Sequence, residues 1–174
     1  MAFTYWSYYI LFLIAGFTFY LRKDKTFYHS FVFALSLTLY ICYFSYLFLG
    51  ARGPHETLAF LHIEREHGYI FDRMVRAIQE TAAISGAAFP SSHVAAMWIL
   101  LIFAFKSKRL FGWIILPVIL SLSFSVVYLQ YHYAVDSIAG ILLVGVTYPL
   151  ARFIEKKFTK AGSGTYLDTS HTNV

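Results

Sequence analysis

The sequence predicts an all-α integral membrane protein, a bundle of about five transmembrane helices with an interfacial amphipathic helix in the segment 51–90. Three observations lead there. Of the 174 residues, 59% are hydrophobic and only 13% charged, whereas an ordinary soluble domain carries about 25% charged residues. Five apolar runs, at 5–21, 27–49, 92–105, 110–127 and 134–154, approach the roughly 20 residues a helix needs to cross the hydrocarbon layer. Basic residues cluster in alternate connections, as membrane topology requires.

The first run has no basic residues ahead of it, so it reads as a retained helix rather than a cleaved signal peptide. The second carries the single Cys42, which has no disulfide partner and reads as a buried, inert thiol. In the segment 51–90, residues 69–81 have helical periodicity. Phe71, Met74, Val75, Ile78 and Ala82 recur on one face, with Asp72, Arg73, Arg76 and Gln79 elsewhere. Such a helix suits the interface plane. The third run is short unless its helix starts near Pro90, a residue suited to a first helical turn. After the fifth run, 161–174 is polar, contains Gly162-Ser163-Gly164 and reads as a flexible tail. Residues 1–160 then form a single transmembrane domain.

Ten basic residues follow the first, third and fifth runs: Arg22, Lys23, Lys25, Lys106, Lys108, Arg109, Arg152, Lys156, Lys157 and Lys160. All fall on one side, which the positive-inside rule assigns to the cytoplasm. The net charge of +5 therefore reflects topology and not a nucleic-acid surface. The segment 51–90 and the turn near 128–133 face the other side.

Two motifs sit at helix ends on that outer side. His132 and Asp136, four residues apart at a helix start, share one face. A carboxylate bonded to one imidazole nitrogen fixes the tautomer and leaves the other nitrogen free to attack. In Pro90-Ser91-Ser92-His93, the serines can cap a helix whose free N–H groups and hydroxyls cradle phosphate oxygens. His93 is placed to give a proton to a departing oxygen. His55, His62 and His67, interleaved with Glu56, Glu64 and Glu66, fit no compact zinc signature and read as a hydrated loop. His29 reads as an interfacial residue on the cytoplasmic side. A haem-binding bundle using His93 and His132 as axial ligands is the non-enzymatic alternative, but it leaves Asp136 and the serine cap unexplained.

These motifs resemble those of the type 2 phosphatidic acid phosphatase superfamily of lipid phosphatases and phosphotransferases. Pro90-Ser91-Ser92-His93 matches its Pro-Ser-Gly-His motif, with Ser92 in the glycine place. Ser125-Val126, five residues, His132, three residues and Asp136 match the spacing of its last motif, and Ser137-Ile138-Ala139-Gly140 resembles the helix that follows. Two positions depart from the pattern. Val126 stands where the family has a phosphate-binding arginine. The first motif is degenerate, with Arg52-Gly53-Pro54 for Arg-Pro and Ser45 for its lysine.

The resemblance implies a metal-independent membrane lipid phosphatase without a cofactor. His132 would be the nucleophile forming a phosphohistidine, Asp136 its orienting carboxylate and His93 the proton donor. Arg52, Ser91 and Ser92 would bind phosphate, with Arg73 or Arg76 supplying the missing charge. Small bacterial members suggest the inner membrane, a periplasm-facing site, and lipid A 1-phosphate ahead of phosphatidylglycerophosphate or undecaprenyl diphosphate. The alternative is transfer of the phosphoryl-containing group to an alcohol. The partners expected are the bilayer and the lipid substrate, with no nucleic acid; oligomeric state is left open.

Overall fold

The computed structural model describes residues 2–58, 70, 71, 73, 74, 77 and 85–165. Within them the chain forms α1 (Ala2–Tyr20), α2 (Lys25–Leu49), the short α3 (Pro54–Thr57), α4 (Ser92–Ser107), α5 (Arg109–Tyr128) and α6 (Ala134–Thr165). Residues 70, 71, 73, 74 and 77 are also helical, within the stretch where the amphipathic helix is expected. The rest of that stretch, including Arg76, lies outside the described residues.

Local chemistry sets the helix ends. The Asp24 side chain caps α2 by accepting from the Phe27 N–H at 3.2 Å. Gly50 ends α2 in the left-handed conformation (φ 51°), and its N–H returns to the Tyr46 carbonyl. Lys108 alone joins α4 to α5. That sharp reversal needs Gly112, because a Cβ there would lie 2.3 Å from the Phe105 ring. Pro90 precedes the Ser91 cap of α4 instead of occupying the first helical turn.

Short connections make successive helices antiparallel. The Ala51–Ala87 bridge brings the end of α2 back to the start of α4. Helix α4 is the central element and packs against α1, α2, α5 and α6. Its Val94, Ala95, Ala96, Met97, Leu100 and Phe103 are buried, as expected for a helix that is apolar all round. Apolar helices gain little by leaving lipid for one another, so close approach depends on small residues and interhelical hydrogen bonds. Ala34, Ala95, Ala104 and Ala151 supply the first. The buried Thr38 and Thr147 hydroxyls, 2.8 Å apart, join α2 to α6. Cys42 is buried and free, as expected.

Large apolar side chains face outward on every long helix except α4, among them Leu13, Leu47, Trp113, Phe124 and Leu142. A contiguous apolar exterior of this kind suits lipid. Among the described residues, three helices are long and apolar enough to cross a membrane: α2, α5 and Ala134–Phe158 of α6. The other two expected spans differ for separate reasons. Helix α4 is a shorter apolar helix enclosed by its neighbours, and α1 interrupts its apolar run with Tyr5, Trp6, Tyr8 and Tyr9. The architecture is that of an all-α membrane protein. Helix α6 continues to Thr165, past the expected start of a flexible tail at 161, and 166–174 lie outside the described residues.

At one end, the Arg22 guanidinium donates to the Ser107 hydroxyl at 2.7 Å, and Arg152 donates to the Ser30 hydroxyl at 3.1 Å. The histidine motifs occupy the opposite end.

Candidate active site

The turn between α5 and α6 carries His132. Its shape comes from the backbone: Gln130 is left-handed (φ 63°), and the Val126 carbonyl accepts from the N–H groups of both Tyr131 and His132 at 3.0 and 3.2 Å. The Val126 side chain is fully buried in the hydrophobic core. The residue at the family's arginine position thus stabilises the turn and does not line the site.

His132 is almost wholly buried, and its Nδ1 lies 2.7 Å from the Ala88 carbonyl oxygen. A carbonyl can only accept, so Nδ1 carries the proton and Nε2 of the neutral ring keeps its lone pair. The expected direct bond from Asp136 is replaced by this contact. Asp136 Oδ2 is 3.7 Å from His132 Nδ1, beyond hydrogen-bond length. It instead accepts from the Tyr133 N–H at 2.7 Å, the reciprocal half of a capping box at the start of α6. The carboxylate still places a negative charge beside the imidazole while bracing the turn.

Ser91 and His93 open α4. The Ser91 hydroxyl accepts from the Val94 N–H at 3.4 Å, and the Ser91 N–H donates to the Asp136 carbonyl at 3.0 Å. The second bond ties the two motifs together. Gly140 permits this contact, since a Cβ there would lie 2.7 Å from the Ser91 carbonyl oxygen. The Ser92 N–H donates to the Tyr46 hydroxyl at 3.2 Å, and that hydroxyl donates to the Pro90 carbonyl at 2.9 Å. The expected phosphate cradle therefore has its Ser91, Ser92 and Val94 N–H groups engaged within the protein, and Ser91 is fully buried. Ser92 does line the cavity.

The His93 and His132 ring centroids lie 6.0 Å apart. The Tyr5 hydroxyl is 3.2 Å from His93 Nε2, and the Tyr5 ring stacks on Tyr131 at 4.8 Å and 7°. Both histidines line a cavity of ≈ 240 Å³. Tyrosines 5, 9, 43, 46 and 131 form much of its wall. His55 and Glu56 also line it, although the sequence placed them in a hydrated loop. Their companions His62, Glu64, Glu66 and His67 lie outside the described residues.

Of the expected arginines, Arg52 and Arg73 do not line the cavity, and Arg76 lies outside the described residues. The Arg52 side chain is 69% exposed, 4.0 Å from Glu56, and Arg73 is exposed. Among the described residues, no lysine or arginine lines the cavity. The sequence signals for Tyr5 and His55 were weak, because an aromatic in an apolar helix and a histidine in a polar segment are both common. Only the fold places them beside the paired histidines.

The bundle brings His132, buried on the turn before α6, and the partly exposed His93 at the start of α4 together at one end, an arrangement that suits a phosphatase-type membrane enzyme. The chain belongs to the PAP2 superfamily, whose family model matches residues 1–150, and members generally hydrolyse phosphate esters. No curated protein and no solved structure matches the chain.

Proposed function

We propose that the protein is a lipid phosphatase that removes phosphate from a phospholipid-type substrate through a phosphohistidine on His132. The observation that carries this reading is the Ala88 carbonyl 2.7 Å from His132 Nδ1, because it leaves the Nε2 lone pair as the ring's nucleophile. Nε2 attacks phosphorus, the N–P bond forms and the bond to the lipid oxygen breaks. His93 gives that oxygen its proton. Water then attacks the phosphohistidine, passes a proton to His93 and releases phosphate from Nε2. Covalent catalysis of this kind splits one difficult displacement into two easier ones. Asp136, close to the ring and nearly buried, stabilises the charge that develops on it.

The ten basic residues at the far end support an orientation with the site on the periplasmic face of a bacterial inner membrane. Lipid A 1-phosphate is the favoured substrate, and phosphatidylglycerophosphate and undecaprenyl diphosphate are the other lipids of this class.

Purified protein assayed for phosphate release from lipid A, phosphatidylglycerophosphate, undecaprenyl diphosphate and phosphatidic acid tests the reading. Wild type should release phosphate from at least one, and His132→Ala should release none. Unchanged turnover in His132→Ala would sink the assignment. The tyrosine hydroxyls around the cavity favour a second reading, transfer to a polyol held against those rings. Mass spectrometry with and without a polyol acceptor separates the two, since free phosphate as the sole product rules out transfer.

A further inference from the structure

A phosphoryl group needs positive charge or strong donors in its transition state. The position where the family carries its arginine points into the core as Val126. Arg52 is turned toward solvent and Glu56. The cavity nevertheless contains a third histidine. His55 lies in α3, and its backbone N–H donates to the Gln130 carbonyl at 3.1 Å, which links α3 to the turn bearing His132. The anchor is a main-chain bond and does not depend on the side chain.

Gly53 sets the depth of the His55 ring. A Cβ on Gly53 would lie 2.5 Å from the Tyr131 carbonyl oxygen and 3.2 Å from His55 Nδ1, so only glycine lets α3 approach the turn this closely. His55 Nδ1 is buried and has no hydrogen-bond partner among the described residues, while its Nε2 lies 3.9 Å from Glu56. The rings of His55 and Tyr131 are 6.4 Å apart. Tyr131 in turn stacks on Tyr5, the partner of His93. His55 and His93 thus each meet one ring of a stacked tyrosine pair, and His132 follows Tyr131 in the chain.

We propose that His55 is a phosphoryl-binding residue, donating from its imidazole to a non-bridging phosphoryl oxygen in place of the arginine absent at 126. The proposal rests on the phosphoryl-transfer reading and holds equally for hydrolysis and for transfer to an alcohol. Its ligand class is a phosphate ester or an oxyanion such as orthovanadate, which mimics the transition state by becoming five-coordinate.

The test uses full-length protein in detergent, with orthovanadate as the probe and His55→Ala, His55→Gln, His55→Arg and His132→Ala as variants. Orthovanadate affinity is measured by calorimetry, so the result does not depend on turnover. Phosphate release is followed in parallel on the lipid panel. His55→Ala should weaken orthovanadate binding about 10-fold and lower kcat/KM about 10- to 100-fold, the range for losing one donor to a charged oxygen. Melting temperature should be unchanged. His55→Arg should recover much of both losses, and His55→Gln, a neutral donor, should recover less.

Wild-type affinity and kcat/KM in His55→Ala overturn the proposal, while an inactive His132→Ala in the same series leaves the phosphatase reading standing. A loss in His55→Ala that comes with a lowered melting temperature and no recovery in His55→Arg also overturns it, because a structural role behaves that way. If wild type releases no phosphate, the phosphatase reading fails by itself, and orthovanadate binding still decides the part played by His55.

Discussion

His132 sits on a turn, and the atom that orients it belongs to a loop 44 residues away in sequence. The Ala88 carbonyl, and not the neighbouring carboxylate, holds Nδ1. The spacing of His132 and Asp136 brought two chemically useful groups into view, but helical proximity alone could not say which oxygen would take the proton. Asp136→Asn separates its two roles. The amide keeps an acceptor for the Tyr133 N–H but loses the charge near the ring. Turnover should fall about 10-fold or more with a stability change within about 1 kcal/mol, read from kcat and thermal melting. Tyr5→Phe removes the hydroxyl 3.2 Å from His93 Nε2 and leaves the ring stack on Tyr131 in place. One neutral hydrogen bond is worth about 1 kcal/mol, so kcat should drop about 5-fold while melting temperature stays close to wild type.

Helix ends carry most of the information at the scale of elements. Ser91 caps α4, and its backbone holds the first turn of α6 through the Asp136 carbonyl. Ser91→Ala should cost about 1 kcal/mol through the lost cap, measurable as a lower melting temperature in detergent. Gly140→Ala is the more severe change. Its Cβ would come within 2.7 Å of the Ser91 carbonyl oxygen, forcing α6 away from α4. Overpacking of this kind costs about 1–3 kcal/mol, and activity should fall with stability because the same contact holds the two histidine motifs together. Deeper in the bundle, a double-mutant cycle on Thr38→Val and Thr147→Val should return a coupling of about 0.6 kcal/mol, the average for hydrogen bonds between membrane helices. The long helices were legible because apolar runs of this length have few other uses. Helix α4 was also found, yet its central position came only from its contacts with four neighbours.

At the scale of the whole molecule, the fold sorts charge from chemistry. Arg22 and Arg152 mark one end of the bundle, and the cavity with its three histidines lies at the other. In a Cys42→Ala background, under the proposed orientation, a cysteine introduced at exposed Tyr133 should react with a membrane-impermeant maleimide added to the periplasmic side. One introduced at Lys157 should react only after permeabilisation. The reverse labelling pattern would invert the orientation. Composition, hydropathy and motif spacing by themselves determined the membrane class and the apolar helices and singled out His93, His132 and Asp136 as candidates, because these depend on residue type and local periodicity. Tertiary structure decided what surrounds that set. The Ala88 carbonyl, Tyr5 and His55 reach the site through contacts spanning tens of residues, and Val126 turns away from it into the core. Local spacing carries no information about such approaches. They follow from antiparallel helices packing closely enough, through Gly53 and Gly140, to bring distant backbone atoms within hydrogen-bonding reach.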